Sequence, residues 1–293
     1  MGVIITALNY PRIFYGFLII SFSLGALRFA SSEKKFFPDG ENFLLQRIER
    51  RINRILPEPQ ASFLAGLLLG VKRNLPEDLL EDFKRTSTTH IIVLSGYNIT
   101  IIAVLLTGFL NLLTLPRKYS FYLAALGIIG FVWLVGPSPS VIRAMIMGIL
   151  LLLTIKINRL YNKRNVLAFT AFLMLLYDPY QLLHSISFQL SFAATLGIVY
   201  LYPKLSRLGE ILGTTLAAQA TVFPIIFFYF REISLIAPLA NLLILPAVPF
   251  SLLFGSLGIL LGKFFAWPAW LFLTYEIKVV GFLADLPWAA IKF

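Results

Sequence analysis

The residues of this chain that could do chemistry are polar side chains set within long apolar runs. A polar group is costly in hydrocarbon surroundings, so its presence there marks a candidate site for binding or passing a polar molecule. Each such group alone also fits simple hydrogen bonding between helices, but together they favour a polar interior. The candidates are His90, Ser95, Asn98, Arg143, Gln189, Ser191, Gln219 and Asn241.

Arg143 is the charged member of this set and follows the turn Gly-Pro-Ser-Pro-Ser at 136–140. Its guanidinium could snorkel to the membrane edge, bind lipid headgroups, or present positive charge to an anionic substrate. Polar residues at every second position from Ser185 to Ser191 cannot all lie on one helix face.

Several chemistries are excluded by residue type and spacing. The chain has no cysteine, two histidines and no His-Glu-x-x-His motif, so it lacks the usual ligands of a zinc site. The glycines of 66–72 have the wrong spacing for a phosphate-binding P-loop. His90 and Ser95 are five residues apart, which does not align a base with a nucleophile on one helix. We therefore predict no enzyme activity, no cofactor and no metal.

Composition indicates which elements must position these residues. The 293 residues are 58% hydrophobic and only 13% charged, which is too apolar for a soluble domain of this length. The runs 91–113, 121–135 and 239–261 are continuously apolar rather than alternating, as in membrane helices. The predicted fold is an all-α, polytopic integral membrane helical bundle.

Much of the net charge of +11 lies in short loops between apolar segments. The charge alone is therefore not evidence of a nucleic-acid-binding surface. Lys and Arg cluster at 117–118, 156–164 and 204–207, whereas the connections 136–140 and 178–184 have none. The positive-inside rule makes the basic loops cytoplasmic. It predicts a cytoplasmic N-terminus, a first membrane helix over 13–29 and an external segment over 30–89. A signal peptide is the alternative for the first apolar stretch.

Shorter elements and breaks complete the predicted organisation. An amphipathic helix over 42–56 carries arginines beside aliphatic residues, and a third helix is predicted over 76–85. The apolar segment 61–71 is too short to span, so it is interfacial, re-entrant or packed inside the bundle. Pro224 and Pro246 predict helix breaks, with a kinked packing helix as the alternative, and Gly96 predicts close helix packing.

Four blocks in order resemble the ComEC competence-protein family. They are FLAGLLLGVKRNLPEDLLEDFKRTSTTHIIVLSGYNI, GPSPSVIRAMIMGILLLL, DPYQLLHSISFQLSFAATLGIVYL and AAQATVFPIIFFYFREISLIAPLANLLILPAVP. The resemblance covers about residues 57 to 262. The positions that match the family's blocks are His90, Ser95, Gly96, Arg143, Phe188, Gln189, Ser191, Gln219, Pro224, Asn241 and Pro246.

The resemblance implies a multi-pass channel of the bacterial cytoplasmic membrane that passes single-stranded DNA inward during natural transformation. It implies a division into residues 1–56, a membrane helix with an external amphipathic helix, and 57–293, the channel domain. The expected partners are single-stranded DNA, the lipid bilayer, a separate DNA receptor, a nuclease and a cytoplasmic motor, with a homo-oligomer also open.

The sequence departs from the family's pattern in three places. The family's external β-barrel domain and its metallo-β-lactamase-like domain have no counterpart in these residues, so nuclease activity is not expected. Tyr97 and Asn98 stand where family members have Leu-His. Two other functions stay open: a secondary transporter of a smaller polar or anionic solute, and a membrane scaffold for an envelope complex.

Overall fold

The computed structural model describes residues 43–71, 73–92, 96–112, 116–157 and 160–292. The membrane helix predicted over 13–29 lies outside this part of the chain, as does Ser95. The helices are α1 (Phe43–Ile55), α2 (Gln60–Leu69), α3 (Glu77–Arg85), α4 (Thr89–Ile92), α5 (Gly96–Leu112), α6 (Arg117–Val135), α7 (Pro139–Lys156), α8 (Lys163–Tyr177), α9 (Gln181–His184), α10 (Ile186–Tyr200), α11 (Tyr202–Leu205), α12 (Glu210–Phe230), α13 (Ala237–Ile244), α14 (Val248–Leu261) and α15 (Lys263–Ala284).

The largest apolar core joins the beginning of the described chain to its end. Helices α1 to α4 pack with α13, α14 and α15, and α14 lies along most of α15. Phe63, Leu252 and Leu273 are completely buried in this core. The segment predicted as an external loop region is therefore anchored to the C-terminal helices.

Helix α2 lies at the centre of this core. All ten of its residues are buried, which confirms the alternative in which this short apolar segment packs inside the bundle. It ends at Gly70, whose φ of 74° is the left-handed conformation that glycine adopts without strain. A Cβ at Gly66 would lie 2.8 Å from a side-chain atom of Ile92, so α2 approaches α4 closely.

Helices α5 to α8, α10 and α12 form the second packed group. Smaller cores join α5, α6 and α7, and then α7, α8 and α10. The tightest pair is α10 with α12, where Gly197 lies against the carbonyl of Ala217 and the hydroxyl of Thr221. That hydroxyl donates to the carbonyl of Ala193 at 2.7 Å, which ties the two helices together.

Length and composition identify membrane helices within the described residues. Helices α7 and α12 are each long and apolar enough to span a bilayer. Two bent pairs pass the same test: α10 with the segment 202–208 at 52°, and α13 with α14 at 44°. The predicted all-α helical membrane fold is confirmed. The sequence did not predict the short antiparallel pairing of β1 (Glu232–Ser234) with β2 (Ala290–Lys292).

The two predicted proline breaks have different outcomes. Pro246 lies in the turn between α13 and α14, as expected. Pro224 lies inside α12, which continues through it to Phe230, so the break predicted there is wrong. A proline removes one backbone hydrogen bond of the helix, and the remaining bonds of a 21-residue helix are enough to carry it through.

Candidate functional site

The candidate site is built around Arg143 in the second turn of α7. This helix begins at Pro139, after Ser138, because proline suits a first helical position, where no backbone donor is needed. The guanidinium of Arg143 crosses to α10. Its Nε donates to the Ser191 hydroxyl at 2.7 Å, and its Nη1 donates to the Thr195 hydroxyl at 2.5 Å.

Helix α10 presents these two hydroxyls on one face because Ser191 and Thr195 are four residues apart. The polar residues of 185–191 have different partners. Ser185 caps α10 by accepting from the backbone N–H of Phe188 at 3.2 Å. Gln189 donates from Nε2 to the carbonyl of Leu182 at 3.0 Å and so binds the preceding turn.

The electrostatics of Arg143 are unusual for a partly buried cation. Within the described residues, no carboxylate lies within 4.0 Å of its guanidinium. Its partners are the two neutral hydroxyls and the sulfur of Met147 at 3.8 Å. Neutral dipoles satisfy N–H donors without cancelling the positive charge. The arrangement can therefore attract an anion.

A half-buried phenol also interacts with this cation. Tyr161 lies in the connection between α7 and α8, and burial raises the pKa of its hydroxyl to about 12, although the charge of Arg143 opposes the shift. The phenol is therefore neutral at physiological pH and does not neutralise Arg143.

The structure brings Arg143 and Ser191 together from the predicted set. It adds Thr195, which the sequence analysis missed. The spacing of Ser191 and Thr195, one helical turn apart in an apolar helix, was the signal that could have identified it. Gln189 lies on the same helix but turns to the carbonyl of Leu182.

The remaining predicted residues lie elsewhere. His90 is exposed in α4, where its Nδ1 lies 3.0 Å from the Ser87 carbonyl. Asn98 is 1% exposed, and its amide donates to the Leu67 carbonyl at 2.9 Å, joining α5 to α2. Nothing in the structure tests their role in lining a channel, which stays a prediction.

Gln219 and Asn241 lie on the later helices. Gln219 is half-buried on α12, and Asn241 is buried on α13 with no hydrogen-bond partner for its Oδ1 among the described residues. Gly96 is the first residue of α5. These positions also stay predictions for the lining of a passage.

A second cationic feature lies on α1. Four exposed arginines occupy positions that share one helix face by their spacing, namely Arg47, Arg50, Arg51 and Arg54. The opposite side of α1 is held in the core by Ile52 and by the carboxylate of Glu49, which accepts from Arg73 at 2.9 Å. These four arginines, the arginine stripe, are therefore exposed, although Arg51 also donates from Nη2 to the Leu260 carbonyl of α14 at 3.2 Å.

Comparison with known proteins identifies the family. The family model described as "Competence protein" matches residues 67–293. The chain is 26% identical to ComE operon protein 3 of Bacillus subtilis, over 73% of this chain and 29% of that protein. It is 31% identical to an uncharacterized protein of Aquifex aeolicus, over 78% of this chain and 53% of the relative.

A third relative is the uncharacterized protein YcaI of Escherichia coli, which is 26% identical over 66% of this chain and 28% of its own length. The chain thus spans about half or less of the length of these curated relatives. No solved structure matches it. Because the family model covers most of the chain, including the helices that carry Arg143, Ser191 and Thr195, the chain belongs to the competence protein family.

Proposed function

We propose that this chain forms a passage through which single-stranded DNA crosses the cytoplasmic membrane into the cell. Membership in the competence protein family supports a role in DNA uptake. The step from uptake to passage rests on the chemistry of the bundle. A DNA strand needs a hydrated path with positive charge for phosphates and polar or aromatic groups for bases.

The observation that carries the proposal is the guanidinium of Arg143 between α7 and α10. It is held by Ser191 and Thr195, which fix its direction without neutralising it. A cation held this way among apolar helices favours passing anions, and the phosphates of a nucleic acid supply one negative charge per nucleotide. A single cation attracts each phosphate without holding the strand in place.

The arginine stripe on α1 supports the same substrate. Its four exposed arginines offer a row of cations about 10 Å long, since positions seven apart on a helix rise by that distance. In the predicted topology this helix lies on the outer side, where a strand would arrive. The stripe would concentrate the polyanion near the entrance of the passage.

We propose a multi-pass protein with a cytoplasmic N-terminus that has no catalytic step of its own. Receptor, nuclease and motor activities would then belong to partner proteins. Association of several copies is compatible with this arrangement.

Binding of single-stranded DNA by the purified protein tests the proposal. We expect binding that weakens steeply with salt, because counterions are released when phosphates are neutralised. Replacing Arg143 with alanine should flatten the plot of log affinity against log salt by about 0.7, the share of one phosphate contact. Arg207→Ala, an exposed cation in the connection before α12, is the matched control and should leave the slope unchanged. An affinity for single-stranded DNA that does not change with salt concentration would contradict the proposal.

A secondary transporter of a small anion is the second candidate, favoured by the two bent helix pairs. The bends measure 52° and 44°, and transporters often place their substrates at broken membrane helices. Substrate-dependent counterflow in vesicles without DNA would support this candidate. Its absence, with salt-dependent DNA binding intact, would support the DNA passage.

A further inference from the structure

Glu276 is a buried acidic residue that the proposed passage does not use. It lies in α15, and its side chain is 0% exposed. Its Oε1 accepts a hydrogen bond from the Ser251 hydroxyl of α14 at 2.8 Å. Its Oε2 has no hydrogen-bond partner among the described residues. Ser251 is also 0% exposed, so neither side chain of the pair contacts solvent.

Within the part of the chain that the structure describes, no opposite charge pairs with Glu276. Helices α2, α13 and α14 pack against α15 and contain no charged residue within their bounds. Helix α3 also packs against α15, and its charged residues are Glu77, Asp78, Glu81, Asp82, Lys84 and Arg85. Within the described residues, none of its cations lies within 4.0 Å of the Glu276 carboxylate.

The charged residues of α15 itself also point away from this carboxylate. Lys263 and Lys278 are exposed, as is Asp285 just after the helix. Lys278 is two residues from Glu276, which places it on the other side of the helix. An ionised carboxylate at this position would have, among the described residues, one hydroxyl as its partner, which is a costly state for a buried charge.

Aromatic rings pack where α14 and α15 meet, close in sequence to the pair. Phe272 of α15 stacks against Phe250 and Phe254 of α14, with ring centroids 5.1 Å and 6.1 Å apart. Ser251 lies between these two phenylalanines in sequence, and Glu276 follows Phe272 by one helical turn. Among the described residues Glu276 is fully buried, so water reaches its carboxyl group when packed helices such as α14 and α15 separate.

We propose that Glu276 and Ser251 form a proton-binding site between α14 and α15. The proton resides on Oε2 while the helices are packed, so the side chain is a neutral carboxylic acid. When the helices part and water enters, the O–H bond of the acid breaks, the electron pair stays on the carboxylate, and water accepts the proton as hydronium. Return of a proton restores the packed state.

This site would make the packing of α14 on α15 sensitive to the proton concentration on the side from which water enters. It extends the proposed function by giving the bundle a means to respond to a transmembrane proton gradient. It does not depend on DNA being the substrate, because the same exchange would serve a solute transporter. Proton binding by Glu276 can therefore be measured without a substrate. Its result does not depend on the result of the DNA-binding experiment.

Infrared spectroscopy of the full chain with isotope-labelled glutamate tests the proposal. Protonated and ionised carboxyl groups absorb at different frequencies, so the state of Glu276 can be read directly. We expect a protonated-carboxyl band at neutral pH that is lost in Glu276→Gln and lost on alkaline titration. Ser251→Ala should shift this band, because the hydrogen bond to Oε1 disappears. Glu210→Gln, at the exposed start of α12, is the control and should leave the band unchanged.

Two results would overturn the proposal. Identical carboxyl bands in the wild-type protein and Glu276→Gln would show that Glu276 carries no proton. A band that neither titrates nor shifts in heavy water would show an acid that never exchanges its proton. If Glu276→Gln does not fold, the shift in Ser251→Ala decides the question, since that variant keeps the carboxyl group.

Discussion

The close contact between α10 and α12 makes Gly197 the most informative position for testing the packing of the bundle. An alanine Cβ here would press on the carbonyl of Ala217, which is backbone and cannot rotate away, and on the hydroxyl of Thr221. Overpacking of this kind costs about 1–3 kcal/mol. Displacing Thr221 also weakens its hydrogen bond to Ala193, which is worth about 1 kcal/mol.

The change also has a favourable part, because alanine is a better helix former than glycine by about 1 kcal/mol. We therefore expect Gly197→Ala to lower the free energy of unfolding by about 1–3 kcal/mol. Gly130→Ala is the matched control. Gly130 lies on α6, and among the described residues a Cβ there would meet no atom within 4 Å. Only the gain in helix propensity therefore applies to this variant.

Thermal unfolding of the two purified variants in the same detergent compares them directly. Gly197→Ala should melt below the wild-type protein, and Gly130→Ala should melt at the same temperature or above it. The reasoning would be refuted if Gly197→Ala were as stable as Gly130→Ala. That result would mean that α10 and α12 are not in close contact at this point.

Three further changes test other parts of the fold. Asn98→Leu should cost about 1–3 kcal/mol, because it leaves the Leu67 carbonyl without its donor in a buried place; an unchanged melting temperature would contradict this bond. Glu49→Ala should cost about 1 kcal/mol, because its partners Arg73 and Asn74 are both exposed and are solvated when released; a large loss would show more buried partners. Phe63→Ala should cost about 3–5 kcal/mol by opening a cavity in the core around α2, and a loss below 1 kcal/mol would contradict the burial of α2.

Most helices could be predicted from the sequence because apolar runs, prolines and basic loops mark their ends. The amphipathic pattern over 42–56 and the charge pattern over 76–85 correspond to α1 and α3. Tertiary contacts could not be read in the same way. The pairing of β1 with β2 joins residues that are far apart in the chain and carry no strand pattern.

The wrong prediction of a helix break at Pro224 has a similar origin. A proline inside an apolar run indicates a lost hydrogen bond, but whether the helix breaks depends on its length and its neighbours. At Pro246 the chain turns between α13 and α14, whereas α12 passes through Pro224 without interruption. Local sequence did not distinguish the two cases.

The candidate site was predictable in part. Arg143 and Ser191 were selected because each is a polar residue in an apolar run, but their pairing depends on the packing of α7 against α10. Thr195 was overlooked because threonine is common in membrane helices. Glu276 was overlooked because the apolar run around it also contains Lys263 and Lys278, and only the fold shows that it alone is buried.

The measurement that tests the central claim most directly is DNA uptake in the source organism after deletion of this gene. Complementation by the wild-type gene should restore passage of labelled DNA into the cytoplasm, and Arg207→Ala should restore it equally. Arg143→Ala, although present in the membrane at the normal level, should leave the DNA bound outside and accessible to added nuclease. Normal transformation of the deletion strain, in a genome with no second member of the family, would contradict the account.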